Sequence, residues 1–180
     1  MTSSYGQNFA RDKTGAWFAW GNNFATNLAI ATPGGVPRAT PTFVEPAGGA
    51  GSRIVAVAPS AFTTCVLTAA GGVKCVGANQ SWDSLPMGAG MLGSGSTDPA
   101  LQVATLVDVV GLERGVTELV AGSESFCAKK ADGAILCWGQ NLWEQGDGGV
   151  ESDLFIGELG AGLLATTGLA VPVPVVGFPE

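Results

Sequence analysis

CAKKADGAILCWGQN, residues 127–141, holds two cysteines ten positions apart, with Asp132 at their midpoint and Gly133 just after it. A short turn with glycine in the left-handed conformation pairs residues that lie symmetrically about Asp132. Cys127 then stands opposite Cys137 on two antiparallel strands. The same string recurs without a gap as CVLTAAGGVKCVGAN, Cys65 to Asn79, and again as FARDKTGAWFAWGNN, Phe9 to Asn23. The glycine near the end of each copy falls at Gly21, Gly77 and Gly139, giving spacings of 56 and 62 residues. Unequal spacing means that insertions differ between copies.

Working outward, a strand precedes the hairpin at Arg53 to Ala58 and at Val116 to Gly122, while only Met1 to Ser4 stand at that place in the first copy. A further strand closes each copy, at Pro41 to Val44, Leu101 to Val110 and Val171 to Val176. Four short strands per copy are the content of a propeller blade. The expected fold is all-β, with three blades of about four antiparallel strands each, an open arc or part of a β-propeller. The chain reads as one propeller-type domain, 1–180, with blades at approximately 1–47, 52–110 and 115–177.

Bulk composition agrees. Apolar residues make up 46% and charged residues 13%, the opposite of a disordered chain. The 28 glycines and 10 prolines punctuate short apolar runs, as turns between strands do. Eight basic against 15 acidic residues, net −7, argue against a phosphate-binding surface, so no nucleic-acid partner is expected. The acidic surface suits solubility or a basic partner. The start, MTSSYGQNFARDK, lacks the basic-then-apolar order of a signal peptide. The weakly polar stretch Leu159 to Val176 carries three glycines and two prolines, which makes it a poor membrane helix, so no membrane span is expected.

Cysteine occupies both partner positions of the hairpin in two copies and neither in the first, where Phe9 and Ala19 stand. Such pairing is what disulfides Cys65–Cys75 and Cys127–Cys137 would produce, each stabilising by about 2–3 kcal/mol through closure of a short loop. Two alternatives stay open. Each pair could be buried free thiols packed as small apolar residues, or the four cysteines could bind a metal. The metal reading has no CxxC and no histidine to draw on. Disulfides would point to a periplasmic or extracellular location. The missing leader pattern leaves the cytoplasm open.

Cys137-Trp138-Gly139-Gln140-Asn141-Leu142-Trp143-Glu144-Gln145-Gly146-Asp147-Gly148 resembles the regulator-of-chromosome-condensation β-propeller repeat. That repeat shows Trp-Gly-x-Asn, then an aromatic and Gly-Gln-Leu-Gly, and its bacterial members often carry the same Cys-to-Cys spacing. The third copy departs from it by Glu144 in place of glycine and by lacking the leucine. The second has Val76 for tryptophan, then Asn79, Trp82 and Leu85; the first has Trp20, Gly21, Asn23, Asn27 and Leu28. The resemblance implies a seven-bladed ring, which three copies do not close. It also implies a family whose members bind other proteins through propeller faces.

Catalytic signals are thin. With no histidine there is no Ser-His or Cys-His pair, and no paired carboxylates stand out. Gly88 to Gly93 fits GxGxxG, but Pro86 precedes it and Pro99 soon follows, so it reads as a glycine-rich loop rather than a nucleotide site. Neither catalytic nor metal residues are expected, and no cofactor. Function is expected in the loops that differ most between copies, Ala29 to Thr40, Leu85 to Ala100 and Asp147 to Ala170. Trp82, Trp143, Phe155, Leu159 and Leu163 are the candidate partner-binding residues. The last three fall at helical spacing, which predicts a short amphipathic helix. The first reading is therefore a non-catalytic scaffold for a protein partner. The alternative is a structural protein, a homo-oligomer whose arcs associate to complete a ring or larger assembly.

Overall fold

The computed structural model describes residues 1–30, 35–44, 52–80, 89–145, 153–156, 159–162 and 168–177, the strands at 142–145 and 153–156 by their backbone alone. Fourteen strands are present among these residues: β1 (Thr2–Ser4), β2 (Gln7–Arg11), β3 (Trp17–Gly21), β4 (Arg38–Phe43), β5 (Ile54–Pro59), β6 (Thr63–Thr68), β7 (Val73–Ala78), β8 (Gln102–Asp108), β9 (Val116–Ala121), β10 (Ser125–Lys130), β11 (Ile135–Gly139), β12 (Leu142–Gln145), β13 (Asp153–Ile156) and β14 (Leu169–Pro174). They form three four-stranded antiparallel sheets, β1-β2-β3-β4, β5-β6-β7-β8 and β9-β10-β11-β14, and one separate hairpin, β12-β13. No helix occurs among the described residues.

The hairpin at the centre of each sheet has the register read from the sequence. Cys127 pairs with Cys137, Cys65 with Cys75 and Phe9 with Ala19. Gly133, Gly71 and Gly15 take the positive φ that the turns require, at 90°, 79° and 91°. Both cysteine pairs are disulfide-bonded, with Cα atoms 4.1 Å apart in each. In the first sheet β1 is three residues long. The two-residue turn Tyr5-Gly6 joins it to β2, and both turn residues have positive φ, as a tight hairpin needs.

The sheets stack through their faces. Phe9, Trp17, Ala19, Leu28 and Val44 of the first blade close on Ile54, Val57, Val66 and Val76 of the second. On its other face the second blade offers Cys65, Leu67, Val73, Cys75, Met91, Leu92 and Val109 to Phe126, Ala128 and Trp138 of the third. The first strands gather on one side, β1 beside β5 and β5 beside β9. That side is the inner edge of the arc.

The expected amphipathic helix through Phe155, Leu159 and Leu163 does not form. Phe155 lies in β13, opposite Trp143 of β12. A spacing of four suits a helix face, but Trp, Phe and Ile also favour strands, and a paired strand supplies partners for the backbone that the local pattern does not reveal. Leu163 lies outside the described residues, as does Trp82.

Candidate functional site

Antiparallel succession sends the first-to-second and third-to-fourth strand connections of every blade to one face, and the central hairpin turns to the other. On the first of these faces each blade repeats one construction. Gly21, Gly77 and Gly139 have φ of 103°, 121° and 106°. A side chain there would run into the carbonyl oxygens of Gly6, Phe62 and Glu124 respectively. These same carbonyls accept hydrogen bonds from the next residue along, Asn22 N–H at 2.9 Å, Ala78 N–H at 3.0 Å and Gln140 N–H at 2.9 Å. Glycine is therefore the residue that lets the chain leave the hairpin hard against its neighbour.

Two residues later stands a buried asparagine. Asn23, Asn79 and Asn141 each accept, through Oδ1, the backbone N–H of a leucine further on: Leu28 at 3.0 Å, Leu92 at 3.2 Å and Leu159 at 3.2 Å. Asn79 adds two donated bonds through Nδ2, to the carbonyls of Ser96 at 2.9 Å and Asp98 at 3.0 Å. The asparagine thus fastens the far end of the loop to its root, as expected of a side chain that hydrogen-bonds loop backbone. All three leucines are buried.

This clasp corrects the local alignment of the repeat. The sequence places Glu144 and Gln145 at the glycine–glutamine of the third copy, and Leu85 at the leucine of the second. The structure puts the leucine of the motif at Leu159 and Leu92, each followed by a glycine with positive φ, Gly160 and Gly93. The asparagine-to-leucine separation is 5 residues in the first blade, 13 in the second and 18 in the third. The residues added between asparagine and leucine include, in the third blade, the β12-β13 hairpin. The GxGxxG look-alike ends on the clasped Leu92 and on Gly93, and no helix follows it among the described residues.

Trp143 and Phe155 lie in the inserted hairpin of the third blade. Leu159 is at its base, with its side chain in the interior, 1% exposed. Trp82 falls within the corresponding connection of the second blade by sequence.

The first-to-second connections meet beside these loops. Gln7, fully buried, donates from Nε2 to the carbonyls of Ser60 at 3.1 Å and Ala61 at 2.9 Å, and accepts from the Thr64 hydroxyl at 3.2 Å. Ser60 Oγ donates to the Ser123 carbonyl, and the Tyr5 hydroxyl lies 3.0 Å from Ser123 Oγ. First, second and third blades are joined here by these side chains and by the Ala61 N–H, which donates to the Ser123 carbonyl at 3.3 Å. Beside this seam runs an open groove of about 480 Å³, lined by Thr2 to Tyr5, Val57 to Pro59 and Leu119 to Ser123. Hydroxyls and apolar groups line it, and no charged side chain is among the described lining residues.

Among the described residues no group of three or more His, Cys, Asp or Glu could hold a metal ion. No helix among them is long and apolar enough to cross a membrane. Asp12, in the turn between β2 and β3, lies on the opposite face. The Thr14 hydroxyl, bonded at 2.7 Å, and the N–H groups of its turn hold it below the ordinary 3.8.

No protein-family model and no curated protein matches the sequence. Solved structures do match. Human WBSCR16 superposes with a TM-score of 0.67 at 22% identity, over 95% of this chain and 37% of its own. Prp20p of Saccharomyces cerevisiae, whose structure was described with its binding to Gsp1p and histones, gives 0.67 at 17% identity over 97% of this chain and 37% of its own. Yeast RCC1 (Prp20) bound to Kap60 gives 0.67 at 17% identity, over 97% and 36%. The chain therefore spans little more than a third of the length of the structures it matches. At that identity the likeness speaks of fold: this chain has the β-propeller blade fold of these regulator-of-chromosome-condensation-like structures.

Proposed function

We propose that this chain is a non-catalytic scaffold that binds a protein partner through the loop face. The observation that carries the reading is the position of the insertions. Blade geometry is held constant by the glycine and asparagine at each loop root, while the asparagine-to-leucine separation beyond varies from 5 to 18 residues at the same point of each blade. Loops fastened to a rigid scaffold are where recognition concentrates. Trp143 and Phe155 belong to the longest of them. The binding of Gsp1p, histones and Kap60 by the yeast neighbour supports protein recognition by this fold.

Replacing residues 142–158 with the four-residue connection of the first blade, Phe24 to Asn27, tests this. Peptides selected by phage display on the intact chain should lose binding at least tenfold on the trimmed chain, with its thermal unfolding otherwise unchanged. Equal binding by both chains would sink the reading.

The two disulfides fit an oxidising compartment, and we place the protein in the periplasm or outside the cell. Protein isolated from its own cells under acid quench, denatured and labelled with maleimide, should show none of its 4 cysteines reactive. Labelling of all of them would put it in a reducing compartment instead.

A further inference from the structure

The blades share one direction, so each charged residue can be assigned to one of two halves of the molecule. The turn half holds the central hairpin turns and the links from blade to blade. The loop half holds the first-to-second and third-to-fourth connections. Seven of the 8 basic residues stand in the turn half: Arg11 and Lys13 in the first blade, Arg53 and Lys74 in the second, Arg114, Lys129 and Lys130 in the third. Only Arg38, the first residue of β4, stands in the loop half.

The acids divide differently. Eight of the 15 belong to the loop half by their place in the sequence. Glu124 lies in the first-to-second connection of the third blade. Asp83 and the exposed Asp98 belong to the third-to-fourth connection of the second blade. Glu144, Asp147, Glu151, Asp153 and Glu158 belong to that of the third. No lysine or arginine occurs from Cys75 to Glu113 or from Ala131 to Glu180, so neither long connection carries a cation of its own. The other seven acids match the seven bases of the turn half. Both ion pairs among the described residues lie there, Lys74–Asp108 at 2.6 Å and Lys129–Glu118 at 3.3 Å. The net charge of −7 is therefore carried by the loop half, and the turn half is balanced.

This charge stands beside the groove. Glu124 directly follows Ser123, one of the groove's lining residues. Its carbonyl accepts the N–H of Gln140, which opens the acidic connection of the third blade. The groove itself brings hydroxyl and apolar surface from all three blades, and Tyr5 at its edge is 62% exposed. An uncharged, poorly polarisable floor beside anionic loops directs their field toward a cationic ligand. The stems of lysine and arginine can cover apolar surface such as Val57 and Leu119, and the Tyr5 ring offers their charged ends a π face.

We propose that the partner recognised at the loop face is a lysine- and arginine-rich segment of a protein, seated along this groove with its cations toward the acidic connections. The inference rests on the loop-face reading and adds to it the charge of the partner and the place where it lies.

Fluorescence anisotropy tests it with a short labelled peptide of alternating lysine and serine, and with its glutamate counterpart. The lysine peptide should bind and the glutamate peptide should not. Affinity should fall at least about fivefold between about 50 and 200 mM sodium chloride. Two variants of equal net charge locate the site. Asp98→Asn, Glu124→Gln, Glu144→Gln and Asp153→Asn together neutralise the loop half. Asp12→Asn, Glu113→Gln, Glu118→Gln and Asp132→Asn together make the same change in the turn half. The first should weaken binding at least about tenfold, and the second should bind as the wild type does. Circular dichroism checks folding. If either variant unfolds, Glu124→Gln with Glu144→Gln, set against Glu118→Gln with Asp132→Asn, makes the same comparison. Equal weakening by both halves would reduce the effect to net charge and overturn the proposal, as would a lysine peptide that does not bind. Phage-selected peptides without an excess of lysine and arginine, yet lost on trimming residues 142–158, would refute the basic partner and leave the loop-face reading standing.

Discussion

Asn79 shows what a single buried amide does in this molecule. Its three side-chain hydrogen bonds, added to backbone bonds from the Gly90 and Met91 N–H groups to its own carbonyl, fasten both ends of a loop. Replacing it with alanine leaves the Leu92 N–H and two carbonyls unpaired in or near the interior, at a cost of roughly 2–4 kcal/mol. Asn23 holds the same place with one described bond, and its Nδ2 has no partner among the described residues. Asn23→Ala should cost less, about 1–2 kcal/mol. Urea unfolding of the two variants checks the order; equal losses would mean that the Nδ2 bonds contribute nothing. The role of these asparagines was legible in the sequence, because an amide just past a hairpin glycine has loop backbone within reach. Their leucine partners were not, since the distance along the chain is set by insertions that obey no local rule.

At the scale of the element, the central hairpin is the part most fully written in local sequence. Symmetric cysteines about Asp132 and the glycine after it fix turn and register together, and the structure keeps both. Glycines in this element are of two kinds. Gly133 has φ of 90° but nothing within 4 Å of where a side chain would sit, so Gly133→Ala should cost about 1–2 kcal/mol of backbone strain. Gly77 faces the Phe62 carbonyl and the Thr63 Cα, the latter at 2.9 Å. Gly77→Ala should cost more than about 4 kcal/mol, since the strand itself must move. Denaturation midpoints of the pair decide it, and similar losses would show that the close approach relaxes cheaply. The β12-β13 hairpin was not legible. Phe155, Leu159 and Leu163 match a helical period by residue type alone. What fixes Phe155 in a strand is pairing with Trp143, a contact that periodicity does not register.

Across the whole molecule, the middle blade is the keystone, because both apolar cores have it as one wall. In a stacked array each unit depends on its neighbours for a covered face. The seam through Gln7, Ser60 and Ser123 ties the loop ends of all three blades to one another. The three-blade count and four-strand content were legible from the repeat. The fit of Trp138 over Gly93 was not, because it joins residues from different copies at positions that alignment alone treats as independent.

The clasp at each loop root also separates the length of a loop from the stability of the blade that bears it. Once asparagine and leucine are joined, the added segment is a closed polymer loop, and its closure entropy rises only with the logarithm of its length. Extending the asparagine-to-leucine separation from 5 to 18 costs about 1 kcal/mol on that scaling. Each blade therefore has a grafting port, at which foreign segments of very different length can be installed without redesigning the sheet beneath.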